Sequence, residues 1–150
     1  VAVAREGALA GLPSLAVSLQ LNWEDPRPDF VAAARWAKPV VDADRDNGLP
    51  PGVYLNVNVP VDISSVRGYR VARMGLAVSE EARYVLARAD SDGTRWYSSR
   101  WQPPKKTSPG GDSDALVNGW VTIAPLGLDQ TAEEAFPFLQ QFGLQAPEAD

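Results

Sequence analysis

Neither cysteine nor histidine occurs anywhere in the 150 residues. Without Cys there is no disulfide framework, no thiolate zinc site and no cysteine nucleophile. Without His there is no Ser-His-Asp triad, no histidine-held zinc and no imidazole proton shuttle at neutral pH. Any metal bound by this chain would be a hard cation on oxygen ligands. Cationic residues are also in deficit, 14 Lys and Arg against 19 Asp and Glu, for a formal charge of -5. That balance argues against a nucleic-acid or membrane partner, because both need a cationic footprint. No apolar run approaches the roughly 20 residues that cross a bilayer, and no charged-then-apolar leader opens the chain. A soluble, cytoplasmic protein is the expectation. What is present, 45% hydrophobic and 22% charged residues, is ordinary globular composition at the size of one domain.

The chain starts directly in a helical pattern, Val1 to Ala10, with no Ser, Thr, Asp or Asn ahead of it as an N-cap. Gly11 is placed to end this helix, and Pro13 follows where it cannot continue. Ser14 to Leu21 is a mainly apolar strand. A small-residue helix feeding such a strand is half of a βαβ crossover, so a preceding portion of the domain is expected. Asp29 is a candidate N-cap for a helix whose apolar face is Phe30, Ala34, Ala37 and Val41, kinked or ended early by Pro39. Asp42 to Gly52 reads as a polar connector. Val53 to Val59 alternates as a strand and stops at Pro60. Helix, strand, helix, strand favours a parallel α/β layer.

Beyond this the pattern changes. Tyr69 to Met74 and Arg83 to Arg88 read as strands, and Asp92-Gly93 as a hairpin turn into Thr94 to Ser98. Gln102 to Asp114 reads as a loop, and Gly119 to Leu126 as a strand ended by Pro125. Thr131 to Glu134 has capping-box spacing for a last short helix.

Few residues carry chemistry. Asp42, Asp44 and Asp46 alternate but lack the Gly and the late Glu of a calcium loop, so a solvated connector is the better reading. Asp112 follows Gly110-Gly111, which allows either close approach to a ligand or a local turn bond. Asn56 and Asn58 share one face of an interior strand and need partners; they orient a loop or contact substrate. Trp96, Tyr97 and Trp101 cluster on the hairpin, with Tyr84 opposite. Each large ring buries on the order of 150–250 Å². These rings pack on the parent domain, form a subunit contact, or stack on a sugar or base.

Several segments together resemble one family. Val1 to Leu19 resembles the mid-chain stretch of the SurE family of metal-dependent 5'/3'-nucleotidases. Leu55-Asn-Val-Asn-Val-Pro60 is similar to its Asn-Val-Asn-hydrophobic-Pro strand, and Asp90 to Gly93 with Trp96-Tyr97 to its Asp-Pro-x-Gly and aromatic hairpin. Gly110-Gly-Asp112 resembles its Gly-Thr-Asp, with Gly111 where Thr is usual. Gly119 to Leu126 is similar to its Gly-Tyr-Val-Ser-Ile-Thr-Pro-Leu, followed by Asp129-Gln-Thr131.

The resemblance implies a Rossmann-like α/β fold with a parallel sheet portion, a C-terminal β-hairpin arm and a short final helix. The whole chain, residues 1–150, would be the C-terminal portion of one SurE-like domain. Within it, residues 1–66 would form the α/β sheet, 67–114 the hairpin arm and loop, and 115–150 the last strand and helix. The resemblance also implies hydrolysis of nucleoside monophosphates with Mg or Mn. In that family an Asp-Asp pair, a Ser and an Asn hold the metal, and all precede the position of Val1. No catalytic or metal-binding residue therefore transfers to this chain, which alone is expected to be inactive. Asn56, Asn58 and Asp112 remain substrate-cleft candidates. Tyr84, Trp96, Tyr97 and Trp101 remain contact candidates for a homodimer or homotetramer. The alternative is a non-enzymatic oligomerisation or binding module, and a carbohydrate-binding domain is a more remote one.

Overall fold

The computed structural model describes residues 1–22, 27–75, 83–100 and 107–142. In chain order it contains α1 (Ala2–Leu9), β1 (Leu15–Leu19), α2 (Phe30–Asn47), β2 (Val53–Val59), β3 (Tyr69–Val71), β4 (Arg83–Ala89), β5 (Arg95–Arg100), α3 (Asp112–Val117), β6 (Val121–Gly127) and α4 (Phe136–Gln140). Single 3-10 turns lie at Ile63–Ser65 and Glu133–Ala135.

The four-stranded sheet has the order β1-β2-β6-β3. β1 and β2 are parallel and joined through α2, which is the expected α/β crossover. β6 then enters antiparallel to β2, and β3 runs parallel to β6. β4 and β5 form a separate antiparallel hairpin, the expected arm, and α4 is the expected short final helix.

Two apolar layers hold the sheet. On one face Ala33 and Val40 of α2 pack on Leu55, Val57, Val59 and Val121. On the other, Ala4 and Ala8 of α1 meet Tyr54, flanked by Ala16, Leu126 and Leu128. Each Val or Leu so buried contributes about 1.5–3 kcal/mol. α1 ends as anticipated, with Gly11 at φ +75 just past Ala10, and it has no side-chain N-cap.

α2 departs from the sequence reading in two ways. Asp29 does cap it, its Oδ1 accepting from the Ala32 N–H at 2.8 Å. However, the helix runs through Pro39 to Asn47, so Asp42, Asp44 and Asp46 lie on its last turns and not in a connector. Pro39 is exposed, and burial of Val40 with the Lys38–Asp42 and Asp42–Arg45 ion pairs offsets the lost backbone bond. The buried stripe is Ala33, Ala37, Val40 and Asp44, rotated from the expected Phe30, Ala34, Ala37 and Val41. Phe30 and Val41 instead border an apolar groove of about 450 Å³ beside Val17 and Leu19 of β1.

Four later elements also differ. β3 ends at Val71, with only an isolated bridge between Arg73 and Gly111 beyond it. β6 continues through Pro125, which faces Leu55. The Leu55 N–H is spent on the Ser14 carbonyl, and β3 has already ended, so no ladder bond needs a donor at Pro125. Asp112–Val117 is helical, not the end of a loop. The capping box does not form: the Thr131 N–H donates to Asp129 Oδ1 at 2.8 Å, and no side chain caps the turn at Glu133–Ala135.

Candidate functional site

Because β1 and β2 are parallel and joined by a crossover helix, their carboxyl ends open on the same side. In sheets of this class ligands sit outside those ends. A cleft of about 360 Å³ lies there, lined by Leu19, Gln20, Asp29, Val61, Asp62 and Ile63 among others. Gln20 Oε1 accepts from the Val61 N–H at 3.3 Å and ties the two strand exits together. Asp62 accepts from the Ser64 hydroxyl at 2.6 Å and from the Ser64 N–H at 3.1 Å. Hydrogen bonds from Ser64 and then Ser65 hold its carboxyl below the usual carboxylate range.

Asn56 and Asn58 do share one face of a central strand, the face covered by α1 through Tyr54. Asn58 Nδ2 donates to Thr122 Oγ1 at 3.2 Å, across the β2–β6 pair. Thr122 is fully buried, at 0% exposure. Asn56 is buried too, and its Oδ1 meets no donor among the described residues.

Asp112 opens α3 and is 7% exposed. Its Oδ1 accepts from the Gly75 N–H at 2.9 Å and from the Ser113 N–H at 2.7 Å. That carboxylate is therefore a fastener between α3 and the segment after β3. The structure joins Asn58 to Thr122 but gives no hydrogen bond between either asparagine and Asp112 among the described residues.

The hairpin aromatics do not form one cluster. Tyr84 pairs in register with Ser99 and Leu86 with Tyr97, so Tyr84, Leu86 and Tyr97 share a face. Trp96 points to the opposite face because neighbours on a strand alternate. There its Nε1 donates to Asp90 Oδ2 at 2.8 Å, and the Arg88 guanidinium sits 4.9 Å from its ring centre. Tyr84 is 79% exposed and Tyr97 55%. Trp101 lies outside the described residues.

Among the described residues no group of three or more acids is placed to hold a metal ion, so no step through a metal is derived from them. Thr122, Gln20 and Asp62 were not singled out from sequence. Thr122 had a signal, since an alternating strand opposite Asn58 must offer it a partner. Gln20 and Asp62 belong to loops and had none.

A parallel β–α–β unit, widened by an antiparallel strand and carrying a cleft at its carboxyl ends, is a mixed α/β fold. A family model described as "Survival protein SurE" matches residues 1–81, and the chain belongs to the SurE family. It is 40% identical over 132 residues to "5'-nucleotidase SurE 1" of Thermus thermophilus, covering 88% of this chain and 50% of that protein. With "5'-nucleotidase SurE" of Desulfatibacillum aliphaticivorans it shares 33% identity over 148 residues, 98% of this chain and 57% of the other. The crystal structure of the SurE protein from Aquifex aeolicus matches with a TM-score of 0.73 at 27% identity, over 95% of this chain and 56% of that one. The chain spans about half the length of the curated relatives it matches. No helix among the described residues is long and apolar enough to cross a membrane.

Proposed function

We propose that this chain is the C-terminal portion of a cytoplasmic, divalent-metal-dependent 5'/3'-nucleotidase that hydrolyses nucleoside monophosphates. The observation that carries the reading is the 40% identity, over 88% of the chain, to a protein named 5'-nucleotidase SurE 1. The Mg or Mn ligands lie in the region of the family fold that this chain does not span. The described residues shape one wall of the cleft: Gln20 and Asp62 fix the strand exits, and Asn58 with Thr122 stiffens the sheet beneath them. No described residue of this chain would hold the metal; bound by the rest of the family fold, it would supply polarisation of the phosphoryl oxygens and a lowered pKa for an attacking water.

Phosphate release tests the proposal. The 150-residue chain with Mg or Mn is expected to release none from a nucleoside monophosphate. A protein containing this sequence together with the other half of the family fold is expected to do so. Absence of release from that longer protein would remove the enzyme reading.

A second reading, an assembly module, is favoured by one observation: Tyr84, Leu86 and Tyr97 stand exposed on one hairpin face. The two are compatible, with the β4–β5 hairpin supplying an arm that joins a homodimer or homotetramer, while β3 at Tyr69–Val71 belongs to the main sheet and not to the arm.

A further inference from the structure

Residues Arg67 to Arg70 and Gly119 to Thr122 run side by side where β3 and β6 begin. The Arg67 N–H donates to the Gly119 carbonyl at 2.8 Å, and the Val121 N–H to the Gly68 carbonyl at 2.9 Å. Gly68 at φ +131 and Gly119 at φ +81 adopt backbone conformations that a side chain would strain, which lets the two strand starts close on each other. In this register Arg70 pairs with Thr122, so Arg70 and Trp120 fall on one face.

That pairing places both guanidiniums at one ring. The Arg70 guanidinium carbon is 4.6 Å from the Trp120 ring centre and that of Arg67 is 5.0 Å away. Trp120 is half-buried, while both arginines are exposed. Among the described residues neither guanidinium has a carboxylate within ion-pair distance. In a chain with 19 acids and 14 bases this is a local surplus of positive charge. The ring face attracts both cations, but it leaves all their N–H donors available to an anion.

The pair lies at the same end of the sheet as the cleft, without lining it. Ser18, Asn58, Thr122 and Arg70 are in register across β1, β2, β6 and β3, a polar row one residue short of the carboxyl ends of β1 and β2. With strands about 4.8 Å apart, the Arg70 backbone is roughly 10 Å from that of Asn58. The row therefore runs from the parallel crossover to the two arginines.

The geometry points to Arg67 and Arg70, held on Trp120, as a binding site for a phosphate dianion, either inorganic phosphate or the phosphate of a nucleoside monophosphate. Two planar guanidiniums on one rigid ring suit an anion of that size and charge. The inference deepens the nucleotidase reading, and rests on it only for the choice of nucleotide probe.

The test is a titration of the 150-residue chain followed by NMR of the Arg side-chain Nε–H and Trp indole N–H groups. Three probes separate the sources: AMP, inorganic phosphate and adenosine. AMP and phosphate are expected to move the Arg67, Arg70 and Trp120 signals, and adenosine to leave them in place. Tighter binding of AMP than of phosphate identifies the monoester as the ligand; equal binding identifies the phosphate group alone. The Arg67→Gln/Arg70→Gln double variant is expected to weaken AMP binding by about tenfold or more, the loss of charge-assisted bonds. Its backbone amide spectrum reports retained folding, since both side chains are exposed. The inference is overturned if AMP and phosphate leave the arginine signals unmoved, if adenosine moves them as AMP does, or if the double variant binds AMP unchanged. Binding to this chain and phosphate release by a longer protein are separate measurements, so either idea can fail alone.

Discussion

Asp112 and Gly75 are fastened to each other: Asp112 Oδ1 accepts from the Gly75 N–H at 2.9 Å, while the Asp112 N–H donates to the Arg73 carbonyl at 2.8 Å. The two bonds replace the sheet ladder that β3 gives up after Val71. An acid in this position is a structural device first. Asp112→Ala is expected to lower unfolding stability by about 1 kcal/mol, because it leaves the part-buried Gly75 N–H without its acceptor. Asp112→Asn keeps an accepting oxygen and is expected to lose less. Denaturant unfolding of both variants checks the order; equal losses would mean the charge, not the acceptor, holds the loop.

Gly111 belongs to the same junction. A Cβ there would stand 3.0 Å from Gly75 Cα and 3.1 Å from the Ser108 carbonyl oxygen. Its φ of -79 is ordinary, so the objection to a side chain is contact and not backbone strain. Gly111→Ala is expected to cost about 1–3 kcal/mol by overpacking, measured as a lowered melting temperature. The Thr usual here in the resembling family motif is then a poor substitute in this chain.

Asn58 and Thr122 offer a cleaner energetic test. Thr122→Val removes the hydroxyl that accepts from Asn58 Nδ2 in a fully buried position. The expected loss is about 1–2 kcal/mol, and combining it with Asn58→Ala is expected to show a coupling of roughly 1 kcal/mol. A double variant whose losses simply add would show that the bond contributes nothing to stability.

The sequence carried the periodic elements of this fold and little of its junctions. Val53 to Val59 was readable because alternation of aliphatic residues is a property of adjacent residues alone. Asp29 and Gly11 were readable because capping is local too. The face of α2 was misjudged by one position, since Phe30 and Val41 are as apolar as the residues actually buried, and only packing on β1 and β2 selects Ala33 and Val40. By local rule Pro39 kinks or ends its helix and Pro125 ends its strand, yet both elements run on, because tertiary context leaves each without a bond to lose or offsets that loss. At the site, Asn58 was visible as a polar residue in a buried strand. Its partner depended on a register 64 residues away, and Gln20 and Asp62 on loop geometry that no spacing rule encodes.

The hairpin faces are chemically unequal. Trp96, itself 52% exposed, donates to Asp90 and lies against Arg88, whereas Tyr84, Leu86 and Tyr97 share an exposed face with no such polar or cationic contact among the described residues. If the arm joins copies of the chain as proposed, Tyr84→Ser/Tyr97→Ser is expected to lower the assembly state seen by sedimentation. Trp96→Ala is expected to loosen the hairpin without changing that state. The reverse pattern would move the contact to the Trp96 face.

The absence of histidine and cysteine fixes the pH profile of stability, because no side chain has an ordinary pKa between about pH 5 and 8. On the acid side, Asp42 is held low by Lys38, Asp62 by Ser64 and Ser65, Asp92 by Thr94 and Asp129 by Thr131. A carboxyl whose folded pKa is depressed contributes stability that is present above its unfolded value near 4 and lost as pH falls through the folded one. On the alkaline side, burial raises the Tyr69 phenol, whose hydroxyl donates to the Trp36 carbonyl at 2.9 Å. Its contribution is present below about pH 10, the unfolded value, and is lost as pH rises toward the folded one. Thermal unfolding is therefore expected to be level from about pH 5 to 8, to fall below about pH 4, and to fall again above about pH 10. Asp62→Asn is expected to flatten the acid limb while leaving the plateau shape unchanged, and a steep change between pH 5 and 8 would contradict the assignment of these groups.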